Sequence, residues 1–337
     1  MSVATTYGDI NQRTAVWAEG TMLEHAEPIL VLEKFADVKP LPKNKADTIK
    51  FRRPVPYAVN TTQLVEGVTP APKQISYEDV AVQMGQYGDV IEISDRVVDM
   101  AEDPILANAS MLAGKQDAET KELILWGVLR AGTNVFYSST AATPTSRADV
   151  NDTVTLNLQR AVVRSLKAQR ARVLTSMVSA SPKFGTEAVA PAFIAFGHTD
   201  LEQDIRDMDG FTPVERYGTF SPVSDHEVGK VEGCRYILSA VLEPFINSGS
   251  ATLNGMVSTG GVNADVYPLI YISKNCYGAV PLKGAGSMNP TVINPGTISK
   301  SDPLGQRGYV GWKMYFAALI LNETWINRVE VGVTDLT

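Results

Sequence analysis

The chain has 337 residues, 44% of them apolar and 20% charged, with a formal net charge of -7. That is enough apolar material for one large domain or two ordinary ones, and it excludes wholesale disorder. The acidic balance argues against a simple nucleic-acid binder, which needs a basic surface to neutralise phosphates.

The N-terminus, MSVATTYGDINQRTAVW, lacks the basic start and apolar core of a secretory signal. No run approaches the ~20 apolar residues that span a bilayer, so no membrane partner is expected. Cys234 and Cys276 stand far apart and outside any CxxC pattern. They read as small buried hydrophobes, with no disulfide.

In chain order, residues 9–35 read as partly helical, with Asp9 and Gln12 spaced as a capping box. Pro40 and Pro42 then forbid helix and favour an extended strap. In TIKFRRPVPY, the residues Ile49, Phe51, Val55 and Tyr57 share one parity, as in a strand. A second alternating run, DVAVQMGQYGDVIEIS, holds Val80, Val82 and Met84, a Gly-containing irregularity, then Ile91 and Ile93. With the polar, Pro-rich link between them, these runs make a long two-stranded hairpin with a wide tip. Such a hairpin is marginal alone in water and should pack on another surface.

The clearest helix follows Asp103, an N-cap candidate, and Pro104, well placed at a first helical position. Ile105, Ala109, Leu112, Gln116, Leu123, Ile124 and Val128 keep helical spacing, and Gly132 and Asn134 provide a stop. From Pro104 to Ala131 it would be about 42 Å long at ~1.5 Å per residue. A second helix is predicted from Leu156 to Val178, with Leu158, Val162, Leu166 and Val173 on its buried stripe. It is one-signed: Arg160, Arg164, Lys167, Arg170 and Arg172 occur with no acid between Asp152 and Glu187. This face suits a polyanion such as DNA. The simpler reading is a solvated face, or ion pairs to a neighbour.

Residues 193–196 read as a short buried strand. Thr199 and Glu202 are spaced as a capping box for a helix that ends at Gly210. From there to Ser299 the chain is rich in Gly, Pro and short strands such as CRYILSAVL and VYPLIYIS, the pattern of a mixed α/β domain. The final stretch, Asp302 to Val333, reads as two strands joined by a turn near Asn322.

Enzyme templates fail in turn. The chain has no GxSxG elbow. Gly114-Lys115 and Gly229-Lys230 lack the spacing of a phosphate loop. His25, His198 and His226 are isolated in sequence. His198, Asp200 and Asp204 could be drawn as a metal cluster, but acids in the first turn of a helix explain them better. No catalytic residue, cofactor or metal is expected, and the chain reads as a non-enzyme.

Three stretches carry a resemblance: INQRTAVWAEGTMLEHAEPILVLEKF, FGHTDLEQDIRDMDGFTPVERYG and DPLGQRGYVGWKMYFAALILNETWINRVE. With the order arm, hairpin, long helix, second helix, Gly-rich insert and returning strands, the chain resembles major capsid proteins of tailed double-stranded DNA phages. These have the Hong Kong 97-type fold, of the α+β class. The three stretches are most similar to the subfamily of phages related to coliphage N4. Residues 247–261 match least.

The resemblance implies an N-arm over 1–48 and an E-loop hairpin over 49–95 that reaches a neighbouring subunit. It implies a P domain with a long spine helix over 96–190 and 300–337, and an A domain over 191–299. It further implies pentamers and hexamers in an icosahedral shell around non-specifically held double-stranded DNA. Separate scaffolding, portal and decoration proteins would be partners. The location would be the virion capsid, assembled in the host cytoplasm. The implied inter-subunit contacts are Arg52, Arg53, Glu66, Lys73, Phe211 and Arg216, with Arg160, Arg164, Lys167 and Arg170 as DNA-facing candidates. Lys50 and Lys73 lie where some relatives crosslink, yet lysine on an exposed hairpin usually just guards an edge. The alternative is an encapsulin-like compartment that encloses cargo enzymes.

Overall fold

The computed structural model describes residues 30–64, 66–100, 105–141, 143–179, 185–217, 222–251, 255–283, 289–298 and 302–336. Residues 9–29 of the expected helical arm, with the Asp9–Gln12 cap and His25, and the Asp103–Pro104 helix start lie outside these residues, and the described end of the arm holds a single 3-10 turn at Glu33–Phe35.

Two sheets and a hairpin organise the chain. The first sheet contains β1 (Asp37–Val38), β4 (Gly85–Ser94), β12 (Tyr277–Pro281), β13 (Asn289–Ile293) and β14 (Arg307–Ile320), in the order β1-β12-β14-β13 with β4 also on β14. The second contains β5 (Val135–Tyr137), β6 (Leu174–Ser179), β7 (Gly185–Gly197), β8 (Phe211–Pro213), β9 (Glu227–Val231), β10 (Cys234–Leu238), β11 (Tyr267–Ile272) and β15 (Ile326–Val331). Its order is β5-β15-β11-β7-β10-β9-β8, with β6 on β7. β2 (Thr48–Pro54) and β3 (Tyr77–Gln83) form the hairpin. The helices are α1 (Asp95–Met100), α2 (Ile105–Leu129), α3 (Leu156–Ala168) and α4 (Glu202–Arg206).

The second sheet is buried on both faces, which is why β10 and β11 are apolar without alternation. Ile194, Phe196, Ile237, Ile270 and Ile272 face the core shared with α2. Their neighbours Phe193, Ala195, Tyr236, Leu269 and Tyr271 face Val162 and Leu166 of α3. Strand periodicity thus divides one run of side chains between two cores.

The long helix α2 packs on β14 through Ala109, Ala113, Leu125, Trp126 and Leu129. Leu112 and Leu123, which the spacing includes in the stripe, are exposed. Small residues take their place, and they allow the helix to lie close to the sheet. Cys234 and Cys276 are buried and free, and burial pushes both thiols up to about 12.

Four readings need correction. The second helix stops at Ala168, and residues 174–179 form β6 instead. Arg170 adopts φ 54. Its N–H donates to Lys167 O (3.0 Å), and Ala171 N–H donates to Leu166 O (3.0 Å). This pair of bonds is a Schellman stop, which needs a left-handed residue and normally uses glycine. Arg170→Gly should therefore raise stability by roughly 0.5–1 kcal/mol, read as a higher denaturant midpoint at constant m.

The turn at His198 is the second correction. It is capped by His198 Nδ1, which accepts from Asp200 N–H (3.2 Å), not by a Thr199–Glu202 box. The third concerns α4, which ends at Arg206, ahead of Gly210. The fourth is the long hairpin. Only seven residue pairs join β2 to β3, and the run continues as β4 beside β14 from Gly85.

Sheet membership also crosses the expected domain boundaries. β12 and β13 lie within 191–299 but pair with β14, while β15 lies within 300–337 but pairs with β11. The turn near Asn322 is present, with Asn322 Oδ1 accepting from Thr324 N–H (3.3 Å). It carries the chain from one sheet to the other.

Candidate inter-subunit surfaces

The hairpin is built from its base outward. Ile49, Phe51, Val80, Val82 and Met84 pack on Leu41, Val280, Ala317 and Leu319. Above that patch Arg52 forks onto Asp79 through Nε (2.7 Å) and Nη2 (2.9 Å). Arg53 bonds Glu78 (2.8 Å), and Arg52 also lies 5.6 Å from the Tyr77 ring centroid. The Arg52 hydrogen bond holds the Asp79 carboxyl below the usual carboxylate range. Both arginines thus serve the ladder of their own chain. The pairs are solvent-exposed, so each adds register more than stability.

Beyond Pro54 the tip is exposed. Val59, Leu64, Val68 and Ile75 are 81%, 74%, 62% and 66% exposed. Lys73 Nζ bonds Ala58 O (3.3 Å) across the tip and lies 6.0 Å from the Tyr57 ring centroid. Glu66 is exposed beside Gly67, whose φ of 78 turns the chain. These four apolar side chains are spaced along one exposed loop.

The other predicted contacts lie on the second sheet. Phe211 is half-buried in β8 and covers Gly229, where a Cβ would sit 2.5 Å from the Phe211 ring. Arg216 is exposed on the following turn. The structure does not bring these two to the hairpin.

Arg160, Arg164 and Lys167 on α3, and Arg170 in the turn after it, are all exposed. Arg160 pairs with Glu232 (2.5 Å). Among the described residues the other three make no ion pair. The opposite face is anchored by buried Gln159, which accepts from Tyr236 Oη (2.5 Å) and donates to Val231 O (2.9 Å). Between the hairpin base and the end of α3 runs a groove of about 740 Å³, lined in part by Phe51, Arg53, Arg170, Arg172 and Trp325.

Among the buried acids not singled out in the sequence, four bond backbone or side-chain groups distant from them. Glu122 on α2 accepts from Val31 N–H (2.5 Å) and Leu32 N–H (3.0 Å), where the arm enters the body. Glu227 accepts from Tyr217 Oη (2.6 Å) and Val223 N–H (2.6 Å), beside Arg235 (3.4 Å). Glu330 takes the fork of Arg147 (2.7 and 2.8 Å) and lies 2.9 Å from Arg328 Nε. Asp265 accepts from Asn247 N–H (2.7 Å) and Thr259 N–H (2.8 Å), which ties these two positions together. The only sequence signal is an acid set inside an apolar run, as in RVEVGV.

Burial raises the Glu122 carboxyl to about 7, and the nearby Glu33 carboxylate adds to the rise. Against the unfolded chain, the folded protein holds a proton on Glu122 from pH ~4.5 up to about 7, although the Val31 and Leu32 N–H bonds themselves favour the carboxylate. The stability this group contributes is fullest at low pH and weakens as pH rises from 4.5 through 7, by on the order of 3 kcal/mol. The denaturant midpoint of the subunit should fall across that window. Glu122→Gln should flatten the dependence.

Among the described residues no group of three or more His, Cys, Asp or Glu could hold a metal, and no helix is long and apolar enough to cross a membrane. Asp204 holds Thr334 Oγ1 (2.6 Å), and Asp200 holds Tyr267 Oη (2.9 Å), so both acids have structural partners.

A sequence model described as phage capsid protein matches residues 77–324. No curated protein sequence matches. Among solved structures, the capsid of Ralstonia phage GP4 is similar at 12% identity and a TM-score of 0.63, covering 91% of this chain and 92% of that one. The cyanophage Pam1 capsid is 14% identical with a TM-score of 0.57, covering 92% of each chain. The cyanophage P-SCSP1u capsid is 12% identical with a TM-score of 0.58, covering 90% of this chain and 89% of that one.

Proposed function

The chain belongs to the phage capsid protein family and is a major capsid protein with the Hong Kong 97-type fold; from that premise we propose that its copies close into pentamers and hexamers around double-stranded DNA. The observation that carries this reading is the hairpin, ordered at its base by its own chain and ending in an exposed apolar tip. A tip of this kind gains a partner only on another molecule. The family match favours a DNA-filled head over an encapsulin-like compartment.

In this reading residues 1–48 serve as the N-arm, 49–95 as the E loop, 96–190 with 300–337 as the P domain, and 191–299 as the A domain. The tip with Glu66 and Lys73 meets one neighbour, the base with Arg52 and Arg53 supports it, and Phe211 and Arg216 meet another. The face of Arg160, Arg164, Lys167 and Arg170 turns toward DNA. Scaffolding, portal and decoration proteins are separate chains, and heads form in the host cytoplasm. The three quoted stretches support placement with phages related to coliphage N4.

The test is expression of the chain alone, followed by sizing and negative-stain microscopy. Shells, tubes or ring-shaped capsomers are expected. A chain that stays monomeric or dimeric under all assembly conditions overturns the reading.

A further inference from the structure

The groove beside the hairpin base carries an uneven charge. Lys39, Arg52, Arg53, Arg170 and Arg172 line it, with Glu78 as the acid among its described residues. The cations on the hairpin side are already matched. Lys39 lies 3.3 Å from Asp37, Arg52 forks onto Asp79 and Arg53 bonds Glu78. On the opposite side Arg170 and Arg172 are exposed and make no ion pair among the described residues.

Arg170 is held there at a cost. It occupies the left-handed stop of α3, where glycine is the less strained residue. The stop uses only the backbone of Arg170, so the guanidinium needs another explanation. Strain of this kind gathers at functional positions.

The groove is also shaped in advance. Trp325 Nε1–H donates to Gln169 O (3.1 Å) and Lys274 N–H donates to Arg172 O (2.9 Å), which fastens the end of α3 to the segments beside it. Half-buried Phe51, Val80, Leu321 and Trp325 give an apolar lining. The volume of about 740 Å³ falls within the ~300–1,000 Å³ common to ligand sites, enough for a few side chains.

We propose that this groove binds a short, extended, acidic segment of a separate partner protein. Its carboxylates pair with Arg170 and Arg172, and an apolar side chain lies against Leu321 and Trp325. Charge complementarity selects the acid, because guanidinium forks hold carboxylates by two-point contacts. The apolar lining selects a peptide over nucleic acid. A duplex turns its phosphates outward and offers that lining nothing. A single strand binds by stacking its bases on rings, but Lys39 Nζ already lies over the Phe51 ring, 5.2 Å from its centroid. Arg170 is shared with the face assigned to DNA, whereas Arg160, Arg164 and Lys167 do not line the groove. The site needs only a folded subunit, so it stands or falls apart from shell assembly.

The test measures binding to the full, unassembled chain by fluorescence anisotropy. The probe is a fluorescein-labelled peptide of glutamates with a central Leu-Trp pair. Its controls are the same peptide with glutamine at every glutamate, and a labelled oligothymidylate of equal charge. The acidic peptide should bind, the glutamine peptide should not, and the oligothymidylate should bind more weakly. Arg170→Gly combined with Arg172→Ala should weaken the acidic peptide by about tenfold or more. Arg170→Gly relaxes the backbone, so a folding defect does not account for that loss. Lys45→Ala combined with Lys115→Ala removes as much charge outside the groove and should leave binding unchanged. Hydrogen exchange in the wild-type complex should slow in peptides covering residues 169–172 and 321–325. Absence of peptide binding, equal loss in both double variants, or protection only elsewhere overturns the proposal. So does an oligothymidylate that binds more tightly than the peptide, which would return both arginines to nucleic acid.

Discussion

Replacing residues 56–75 with Asn-Gly should leave a folded subunit that forms no closed shells. Val55 N–H donates to Ser76 O (2.9 Å), so these two are a bonded pair that a two-residue turn can join in register. The seven base pairs and the patch of Ile49, Phe51, Val80 and Val82 on Val280, Ala317 and Leu319 stay in place. The excised tip is exposed and contributes little to the isolated fold, so stability should change by no more than about 0.5 kcal/mol. The loss is all in assembly, because the exposed apolar tip has no other occupant. Denaturant unfolding of the subunit and negative-stain counts of shells read the two halves separately. Normal shells from the shortened chain would remove the hairpin from the assembly mechanism.

The second large effect lies in the core of the subunit. Glu330 is 0% exposed and holds Arg147 in a two-point fork, with Arg328 2.9 Å away. Arg147 also stacks on Phe245, 3.4 Å from its ring centroid. Glu330→Ala would strip the carboxylate from two guanidiniums, one of them 91% buried by its 9% exposure. An uncompensated buried charge costs about 3–5 kcal/mol, enough to unfold many domains. Burial already lowers the Arg328 pKa. The midpoint of unfolding should drop accordingly, and Glu330→Gln, which keeps one acceptor, should lose less. A change below ~1 kcal/mol in the alanine variant would mean that the cluster is solvated.

Legibility in the sequence followed the range of each interaction. The long helix was readable because its spacing repeats over many turns, and its observed span, Ile105–Leu129, falls inside the expected one. β10 and β11 were readable from apolar runs that only a doubly covered strand can bury. The end of α3 was missed because its stop depends on Arg170 adopting φ 54, which composition does not announce. The partner of β4 was also missed. Residues 79–94 alternate on either side of a Gly-containing irregularity, and alternation says which face is buried but not which strand lies alongside.

The candidate surfaces divide in the same way. Arg52 and Arg53 were legible as hairpin residues, but their use within the chain depends on Asp79 and Glu78 arriving opposite them. Glu122, Glu227, Asp265 and Glu330 were invisible as organisers, because an acid in an apolar run looks like a fault until its distant partner is known. Glu122 meets Leu32 across 90 positions, and Glu330 meets Arg147 across 183.

By itself the sequence determined the class of elements, their order and the exposed character of the hairpin tip, since periodicity and local turn chemistry act within a few residues. Only the tertiary structure decided which strands share a sheet, which buried acids hold the arm and the loops, and which cations line the groove. Those outcomes depend on backbone groups and charges that lie far apart along the chain and meet only when it folds.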